Sequence, residues 1–353
     1  MRHSLPLLLL AAASSPTQTR PPIRLVLEYQ IDDRAGPSLG VIDRFELTPD
    51  GGVVAVDGAN SVIYRFTPAG KLRDSLGHKG QGPGEFQVVA GLGVGPAGEV
   101  AIADIRTRRI TIWEPDGKLR GSATLNGMPA DLVWRGAEPV AGTVQFGETI
   151  MVTFAPARLG ETKSGPVIAA FPDPKIVEYG TAVSCGTCRH AQSPAGTLLV
   201  AAPDTFYRVS ELDATGKALR VWKRGDVGAG LRSPEELEAL RKRLAAGPGG
   251  GRLLPGMEAR FRAPNDDALR FRGRFQGIGM DEKGRLLALV SNAGSRSAVV
   301  DVFSADGRFL GSIRPDRELH AMVVRGNRVA ALGETPDGTP AILVYRIEEV
   351  PAH

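Results

Sequence analysis

The sequence is poor in the residues on which disulfide-rich, redox and metal-binding proteins depend. Among its 353 residues are only 2 Cys and 5 His, and aromatic residues make up 6%. Two cysteines cannot cross-link a whole scaffold, and such low counts argue against a metal-rich one. The formal net charge is only +4 with both signs interspersed, so the dense basic surface of a nucleic-acid-binding protein is also missing. We therefore predict no nucleic-acid partner, no metal and no cofactor.

Long hydrophobic runs are absent as well, because no segment reaches the roughly 20 apolar residues that a membrane-spanning helix needs. The apolar stretch 5–13 follows Arg2 and His3 and ends in three alanines, which is the layout of a secretory signal peptide. We predict that residues 1–22 are a signal peptide with its spacer and that the mature protein is secreted or periplasmic. The alternative is an apolar N-terminus with no targeting role. No Cys lies near the cleavage region, so we expect no lipid anchor there.

The two cysteines form one local pair, Cys185 and Cys188, followed by Arg189 and His190. A disulfide between them suits an oxidising compartment and is our first interpretation. A redox-active pair would be expected next to a βαβ pattern, and haem attachment needs His directly after the second Cys. A zinc site would need a second pair of ligands. These alternatives are less favoured, and the sequence leaves them open.

Glycine and proline, in contrast, are abundant, with 44 and 26 copies, and many of them recur in register. Residues 49–57 align with 96–104, and residues 63–73 align with 110–120, both at an offset of 47 positions. Each copy has a Gly-containing turn, an apolar β-branched run, a polar turn, an alternating run and a second tight turn. Weaker copies begin near positions 194, 281 and 325, with a worn copy near 135–154.

Short antiparallel strands joined by Gly turns at a period of about 40–50 residues are typical of propeller blades. We predict an all-β fold, a six-bladed β-propeller with seven blades as the alternative, forming a single domain over residues 23–349. Residues 23–31 alternate but have no blade of their own, so we expect them to pair into the last blade and close the ring. The predicted blades are 41–77, 87–124, 128–158, 165–224, 275–316 and 318–349.

The segment between the first two copies resembles a blade bridge of the NHL-repeat family. In that family a G-x-G-x-G-x-F segment joins one blade to the next, and it is matched here by Gly80, Gly82, Gly84 and Phe86. The chain is most similar to the secreted bacterial members described as six-bladed β-propellers. The match is strong over 41–124 and weak over 125–192, and the Pro that usually follows the Phe is absent. The resemblance implies a divergent NHL-like propeller. Some such propellers are lyases or lactonases with a metal on the axis, and some intracellular members bind RNA.

One segment breaks the all-β pattern. Ser233 is a suitable N-cap, Pro234 suits the first turn, and Gly247 ends the periodic stretch. We predict a short helix near 233–246 inside an insertion, 226–274, that lies between two blades and across one face of the ring.

Two aspartates, Asp57 and Asp104, fall at the same position of the two best copies, after an apolar strand. They could be ligands for a metal or substrate near the axis. The alternative is that each accepts backbone N–H bonds of the following turn. Their repetition favours this structural role.

Four other side chains are candidates for a ligand-binding face: His78, Arg106, Arg108 and His190. His78 could form an acid/base pair with Glu85 or lie in a solvated loop. The two arginines could bind an acidic ligand or belong to a charge-balanced surface.

No Ser-His-Asp set, nucleophile elbow or phosphate loop is visible in the sequence, and the repeats do not align His78, His190 and His320. We therefore predict no catalytic residue. The sequence favours an exported, non-catalytic, monomeric propeller that binds a protein, peptide or glycan. A metal-dependent hydrolase or lyase with an axial site is the alternative, and a redox protein using Cys185 and Cys188 is the third hypothesis.

Overall fold

The computed structural model shows a six-bladed β-propeller built from six four-stranded antiparallel sheets, which confirms the predicted fold and the lower of the two blade counts. The structure describes residues 21–34, 37, 39–145, 151–160, 165–172, 190–201, 207–225, 234–245, 275–291 and 298–351. The candidate disulfide, Cys185 and Cys188, and residues 1–20 of the predicted signal peptide lie outside these ranges. In the described part of the chain, no helix is long and apolar enough to cross a membrane.

The first three blades follow one another along the chain, after an N-terminal strand β1 (Ile23–Ile31) that belongs to the last blade. Blade 1 contains β2 (Ile42–Leu47), β3 (Val53–Asp57), β4 (Val62–Phe66) and β5 (Leu72–Leu76). A bridge with the short parallel pair β6 (His78–Lys79) and β7 (Glu85–Phe86) leads to blade 2. Blade 2 contains β8 (Val89–Val94), β9 (Val100–Asp104), β10 (Arg109–Trp113) and β11 (Leu119–Thr124). Blade 3 contains β12 (Met128–Arg135), β13 (Glu138–Gln145), β14 (Met151–Pro156) and β15 (Ala169–Pro172).

The other three blades complete the ring. Blade 4 contains β16 (His190–Gln192), β17 (Leu198–Ala201), β18 (Tyr207–Leu212) and β19 (Ala218–Arg224), and α1 (Pro234–Ala245) follows it as the helix predicted from the caps. Blade 5 contains β20 (Phe275–Met280), β21 (Leu286–Ser291), β22 (Ala298–Phe303) and β23 (Phe309–Ile313). Blade 6 contains β24 (Leu319–Arg325), β25 (Arg328–Glu334), β26 (Pro340–Glu349) and β1.

One predicted boundary is wrong. The sequence placed residues 165–224 together in the fourth blade, but β15 pairs with β14 and is the outermost strand of blade 3. Blade 4 therefore begins with β16, at His190. The reason is that the last connection of blade 3, residues 157–168, is much longer than the tight Gly turns 67–71 and 114–118 of blades 1 and 2, so sequence periodicity could not show where this blade ends.

Among the described residues, the core is divided into six apolar clusters, one between each pair of successive blades. Strand β3 shows why, because its residues alternate between two clusters. Val53 and Ala55 pack against blade 6, whereas Val54 and Val56 pack against blade 2. A strand buried on both faces is apolar throughout, which explains the continuous runs in the repeats.

Glycine lets neighbouring blades approach closely at two equivalent positions of the innermost strands. A Cβ on Gly91 would lie 2.3 Å from the Leu132 nitrogen, and one on Gly277 would lie 2.2 Å from the Met322 oxygen. Both contacts are with the backbone of the next blade, which cannot move aside as a side chain can. The glycines therefore set the narrow spacing of the blades near the axis.

The ring closes through β1, as predicted from its alternation. β1 pairs antiparallel with β26, from Ile23 opposite Glu349 to Ile31 opposite Ile342. The strand thus joins the start of the domain to its last blade and covers what would otherwise be an exposed edge.

The two ends of the ring are named here by the connections they carry. The turn face holds the turns between the innermost and second strands: 48–52, 95–99, 136–137, 193–197, 281–285 and 326–327. The bridge face holds the turns between second and third strands and the connections between blades, including the 77–88 bridge.

Replacement of Ile31 by Ala should destabilise the protein, because Ile31 is fully buried in the cluster between blades 6 and 1. We expect a loss of about 2–5 kcal/mol in the free energy of unfolding, measured by urea titration. Leu219→Ala, at a residue that is 56% exposed, is the control and should stay within about 0.5 kcal/mol of the parent. Equal effects of the two substitutions would show that β1 does not seal the ring.

Candidate functional site

Asp57 and Asp104 accept hydrogen bonds from backbone N–H groups at the bridge face and do not face the axis. The Asp57 carboxylate accepts bonds from the N–H groups of Gly40 at 2.9 Å and Ala59 at 3.0 Å, and from the Asn60 side chain at 2.7 Å. Burial by itself would raise the pKa of Asp57, but these hydrogen bonds outweigh it and hold the pKa below its ordinary value. Asp104 makes the same connections in the next blade, to the N–H groups listed here: Gln87, Val88 and Arg106.

The other bridge-face candidates lie apart from the axis. His78 Nδ1 is 3.3 Å from Glu85 Oε1, but the His78 side chain is 72% exposed. The other oxygen of Glu85 accepts a bond from the Gly82 N–H at 2.6 Å, and this bond lowers the pKa of the carboxyl. Arg106 and Arg108 are exposed on the turn between β9 and β10. The structure therefore brings His78 and Glu85 together, but it does not bring His78, Arg106 or Arg108 to His190.

A cavity lies on the axis at the turn face. Its volume is about 470 Å³, and each of the six blades contributes to its lining. Its wall combines buried apolar side chains with polar groups: Leu47, Val94, Trp134, His190, Met280 and Arg325 are lining residues from blades 1 to 6 in turn. This volume lies within the roughly 300–1,000 Å³ that is usual for small-ligand sites.

The mouth of the cavity is formed by the innermost turns. Three exposed prolines, Pro49, Pro96 and Pro194, occupy corresponding turns in blades 1, 2 and 4. Glu282 and Asn327 complete the mouth from blades 5 and 6, and both are exposed. A ligand entering from this face would meet these residues first.

The Arg325 side chain extends from blade 6 to carbonyl groups of blades 1 and 2, below the mouth of the cavity. Its Nη1 donates to the Leu47 carbonyl at 2.9 Å and to the Val94 carbonyl at 3.0 Å, and its Nη2 donates to the Gly95 carbonyl at 3.0 Å. Burial lowers the pKa of Arg325, and the negative charges of Glu46 and Glu99 oppose that shift. The carbonyl bonds fix the guanidinium at the cavity wall.

His190 lies at the same cavity and is held from behind by a buried carboxylate. Its Nδ1 is 2.6 Å from Asp131 Oδ2, and the other Asp131 oxygen accepts the Leu132 N–H at 2.8 Å. Burial raises the pKa of the Asp131 carboxyl, whereas the bond from His190 and the charge of Arg44 oppose the rise. The His190 ring also contacts Phe154, with ring centroids 4.5 Å apart. The pair fixes the orientation of the imidazole, as a carboxylate partner does in many binding and catalytic sites.

Trp134 forms an aromatic part of the wall. The side chain is 2% exposed, and its indole nitrogen finds no hydrogen-bond acceptor among the residues described. The ring packs against Gly93 and Gly95, where a Cβ would approach to 2.8 Å and 3.2 Å respectively. The missing side chains at these glycines make room for the indole beside the axis.

Of the cavity residues and their partners, the sequence analysis named His190 but not Asp131, Arg325 or Trp134. A usable indication existed for Asp131, because a charged residue in the middle of the mainly apolar strand β12 is expected to be buried with a partner. No comparable pattern marks Arg325, whose three acceptors lie more than 200 positions away in the sequence. In the part of the chain that the structure describes, no group of three His, Cys, Asp or Glu residues could hold a metal ion.

Comparison with known proteins identifies the fold class but not a family. No family model matches the chain, and no curated protein does. Among solved structures, a Bacteroides fragilis protein described as exported is 12% identical, with 93% of this chain and 95% of that chain covered and a TM-score of 0.52. The WD40 repeats of RRP9 are also 12% identical, with 94% and 100% covered and a TM-score of 0.50. At such low identity these similarities support the propeller fold alone.

Substitution of Asp57 by Asn tests its structural role. Asn would place an N–H donor against backbone donors, so we expect a loss of about 1–3 kcal/mol in unfolding free energy at neutral pH. Because the folded-state pKa of Asp57 lies below its ordinary 3.8, the stabilisation is complete above that value and is lost as the pH falls through the lowered pKa. The difference between parent and variant should therefore shrink in acid, as measured by urea titrations at several pH values.

Glu334→Gln, at an exposed residue, is the control and should change stability by no more than about 0.5 kcal/mol. Unchanged stability of Asp57→Asn, combined with loss of a bound ligand or metal, would return Asp57 to the functional interpretation.

Proposed function

We propose that this chain is an exported, non-catalytic propeller that binds a protein, peptide or glycan in the axial cavity of its turn face. The observation that carries the proposal is the cavity itself, which all six blades line and which is open between exposed turn residues. Ligands are commonly bound in concave sites of this size, with a mainly apolar wall and a few fixed polar groups. Export is proposed from the signal-peptide layout of residues 1–22.

The rigidity of the cavity also favours a binding role. His190 is fixed by Asp131, and Arg325 is fixed by three backbone carbonyls. Side chains that are already ordered lose little conformational entropy when a ligand arrives. The ring thus presents a preformed site.

A pair of matched tryptophan substitutions tests which face binds. Asn327→Trp adds a large side chain at the mouth of the cavity, and Arg106→Trp adds the same side chain on the bridge face; both parent residues are exposed. Ligands would first be selected for the protein without residues 1–22 from a displayed peptide library and a glycan array. We expect Asn327→Trp to weaken binding of the selected ligand at least about tenfold, which corresponds to 1.4 kcal/mol, and Arg106→Trp to leave it unchanged.

Circular dichroism and thermal unfolding of both variants would establish that the ring is intact. Loss of binding in Arg106→Trp alone would move the site to the bridge face, near His78 and Arg108, and would overturn the proposal.

A second candidate function, a metal-dependent hydrolase or lyase, is favoured by the Asp131–His190 pair. A carboxylate that orients an imidazole beside a cavity is also the arrangement that supports metal ligation or general base catalysis. His190→Gln keeps a polar side chain next to buried Asp131 and is the suitable variant, since an apolar one would leave the carboxylate uncompensated.

Metal content of the purified parent and of His190→Gln separates the two functions. The binding proposal predicts no stoichiometric transition metal in the parent protein, as measured by inductively coupled plasma mass spectrometry. Stoichiometric metal in the parent that is lost in His190→Gln would favour the enzyme instead.

A further inference from the structure

We propose that Arg325 binds the C-terminal carboxylate of a peptide whose last, apolar side chain lies against Trp134 in the axial cavity. This inference rests on the proposed binding function and specifies the chemistry of its ligand. The cation that would bind this carboxylate is the Arg325 guanidinium, which lies at the cavity wall.

The first step is the hydrogen bonding of the Arg325 guanidinium. A guanidinium carries five N–H donors, and three bonds to backbone carbonyls are made by Nη1 and Nη2. Among the described residues, Nε has no hydrogen-bond acceptor within the protein, and Nη2, which shares one edge of the guanidinium with Nε, makes only the bond to Gly95. Such an edge is the geometry that receives a carboxylate through two parallel bonds.

The second step is the charge around Arg325. Carbonyl oxygens satisfy donors without neutralising the charge, and no carboxylate lies within ion-pair distance of Arg325 in the described ranges. Glu99 is engaged by Arg120 at 3.2 Å, and the other arginine of the cavity, Arg328, is engaged by Glu28 at 2.7 Å. Arg325 therefore contributes a positive charge that an anionic ligand group can neutralise.

Other titratable groups at the cavity restrict the kind of anionic ligand that Arg325 can bind. Glu46 lies on the wall and Glu282 at the mouth, and His190 is paired with Asp131. These two glutamates would repel a ligand with several negative charges, such as a phosphorylated or sulfated one. A single carboxylate placed on Arg325 is compatible with them.

The third step is a set of apolar residues near this cation, which share the cavity lining with polar groups. Trp134, Val94, Ile278 and Met280 line the same cavity, and three prolines lie at its mouth. Such a mixed lining can receive an apolar side chain at these residues and a polar peptide backbone at the neighbouring polar groups. A peptide C-terminus combines a carboxylate and an apolar side chain on one carbon atom.

The test uses the indole N–H signal of Trp134 as a reporter inside the cavity. Protein labelled with ¹⁵N at tryptophan gives indole signals that single Trp→Phe variants assign, and Trp222, whose Nε1 donates to the Ser304 carbonyl at 3.1 Å, is the internal reference away from the cavity. N-acetyl-leucine is the carboxylate probe, and N-acetyl-leucinamide is its uncharged match. We expect the acid to shift the Trp134 signal and not that of Trp222, and the amide to bind at least tenfold more weakly.

Two variants separate charge recognition from a merely structural role of Arg325. Arg325→Gln removes the charge and should abolish the difference between acid and amide. Arg325→Lys keeps the charge but loses the forked donor edge, so it should retain a preference for the acid at weaker affinity. If either variant fails to fold, the comparison of acid with amide on the parent protein still decides the question.

If N-acetyl-leucine and N-acetyl-leucinamide bind with equal affinity, the carboxylate assignment is overturned, whereas binding in the cavity is not. A shift of Trp134 by glucuronate but not by N-acetyl-leucine would overturn the peptide assignment in favour of an acidic sugar. If no probe moves Trp134, yet Asn327→Trp blocks a library-selected ligand, the present inference fails and the proposed function stands. If acid binding is confirmed but the selected ligand is insensitive to Asn327→Trp, the proposed function fails instead.

Discussion

The structure depends on one constraint, which is that every sheet of this protein is apolar on both faces. A single blade cannot bury either face by itself, so each needs a neighbour on both sides, and a row of such blades is complete only when it closes. The six interblade clusters are the result, and β1 supplies the last strand of the sixth sheet. The axial cavity follows from the same constraint, because the innermost strands cannot meet at a point.

Arginine side chains provide a second, polar connection between blades. Arg44 and Arg65 of blade 1 donate to the Ala90 and Pro115 carbonyls of blade 2, at 2.9 Å and 2.8 Å. Arg325 does the same from blade 6, with the difference that its guanidinium also lines the cavity. Hydrogen bonds to backbone carbonyls leave the positive charge in place, so a contact that positions blades can at the same time prepare a site for an anion.

The accuracy of the sequence predictions varied with how local the underlying interactions are. Turns, strands, the helix at Pro234–Ala245 and the closing role of β1 follow from short-range preferences and from burial on two faces, and these predictions were confirmed. The predicted boundary between blades 3 and 4 was wrong because the last connection of blade 3, residues 157–168, is longer than the tight turn at this place in the other copies. The candidate residues of the bridge face, such as His78 and Arg106, were noticed because they are titratable or charged side chains in turns and bridges. The neighbouring sequence does not show how far these residues lie from the axis.

The class of fold could be predicted from the sequence, because period, turn chemistry and apolar runs are properties of neighbouring residues. The structural role of Asp57 and Asp104 could be predicted as well. A residue that recurs at the same turn in two repeats is expected to accept the backbone N–H bonds of that turn. The candidate site at the axial cavity, in contrast, depends on the tertiary structure. His190, Asp131 and Arg325 come from three different blades, and their distances depend on how the ring closes. No pattern within one repeat can contain that information.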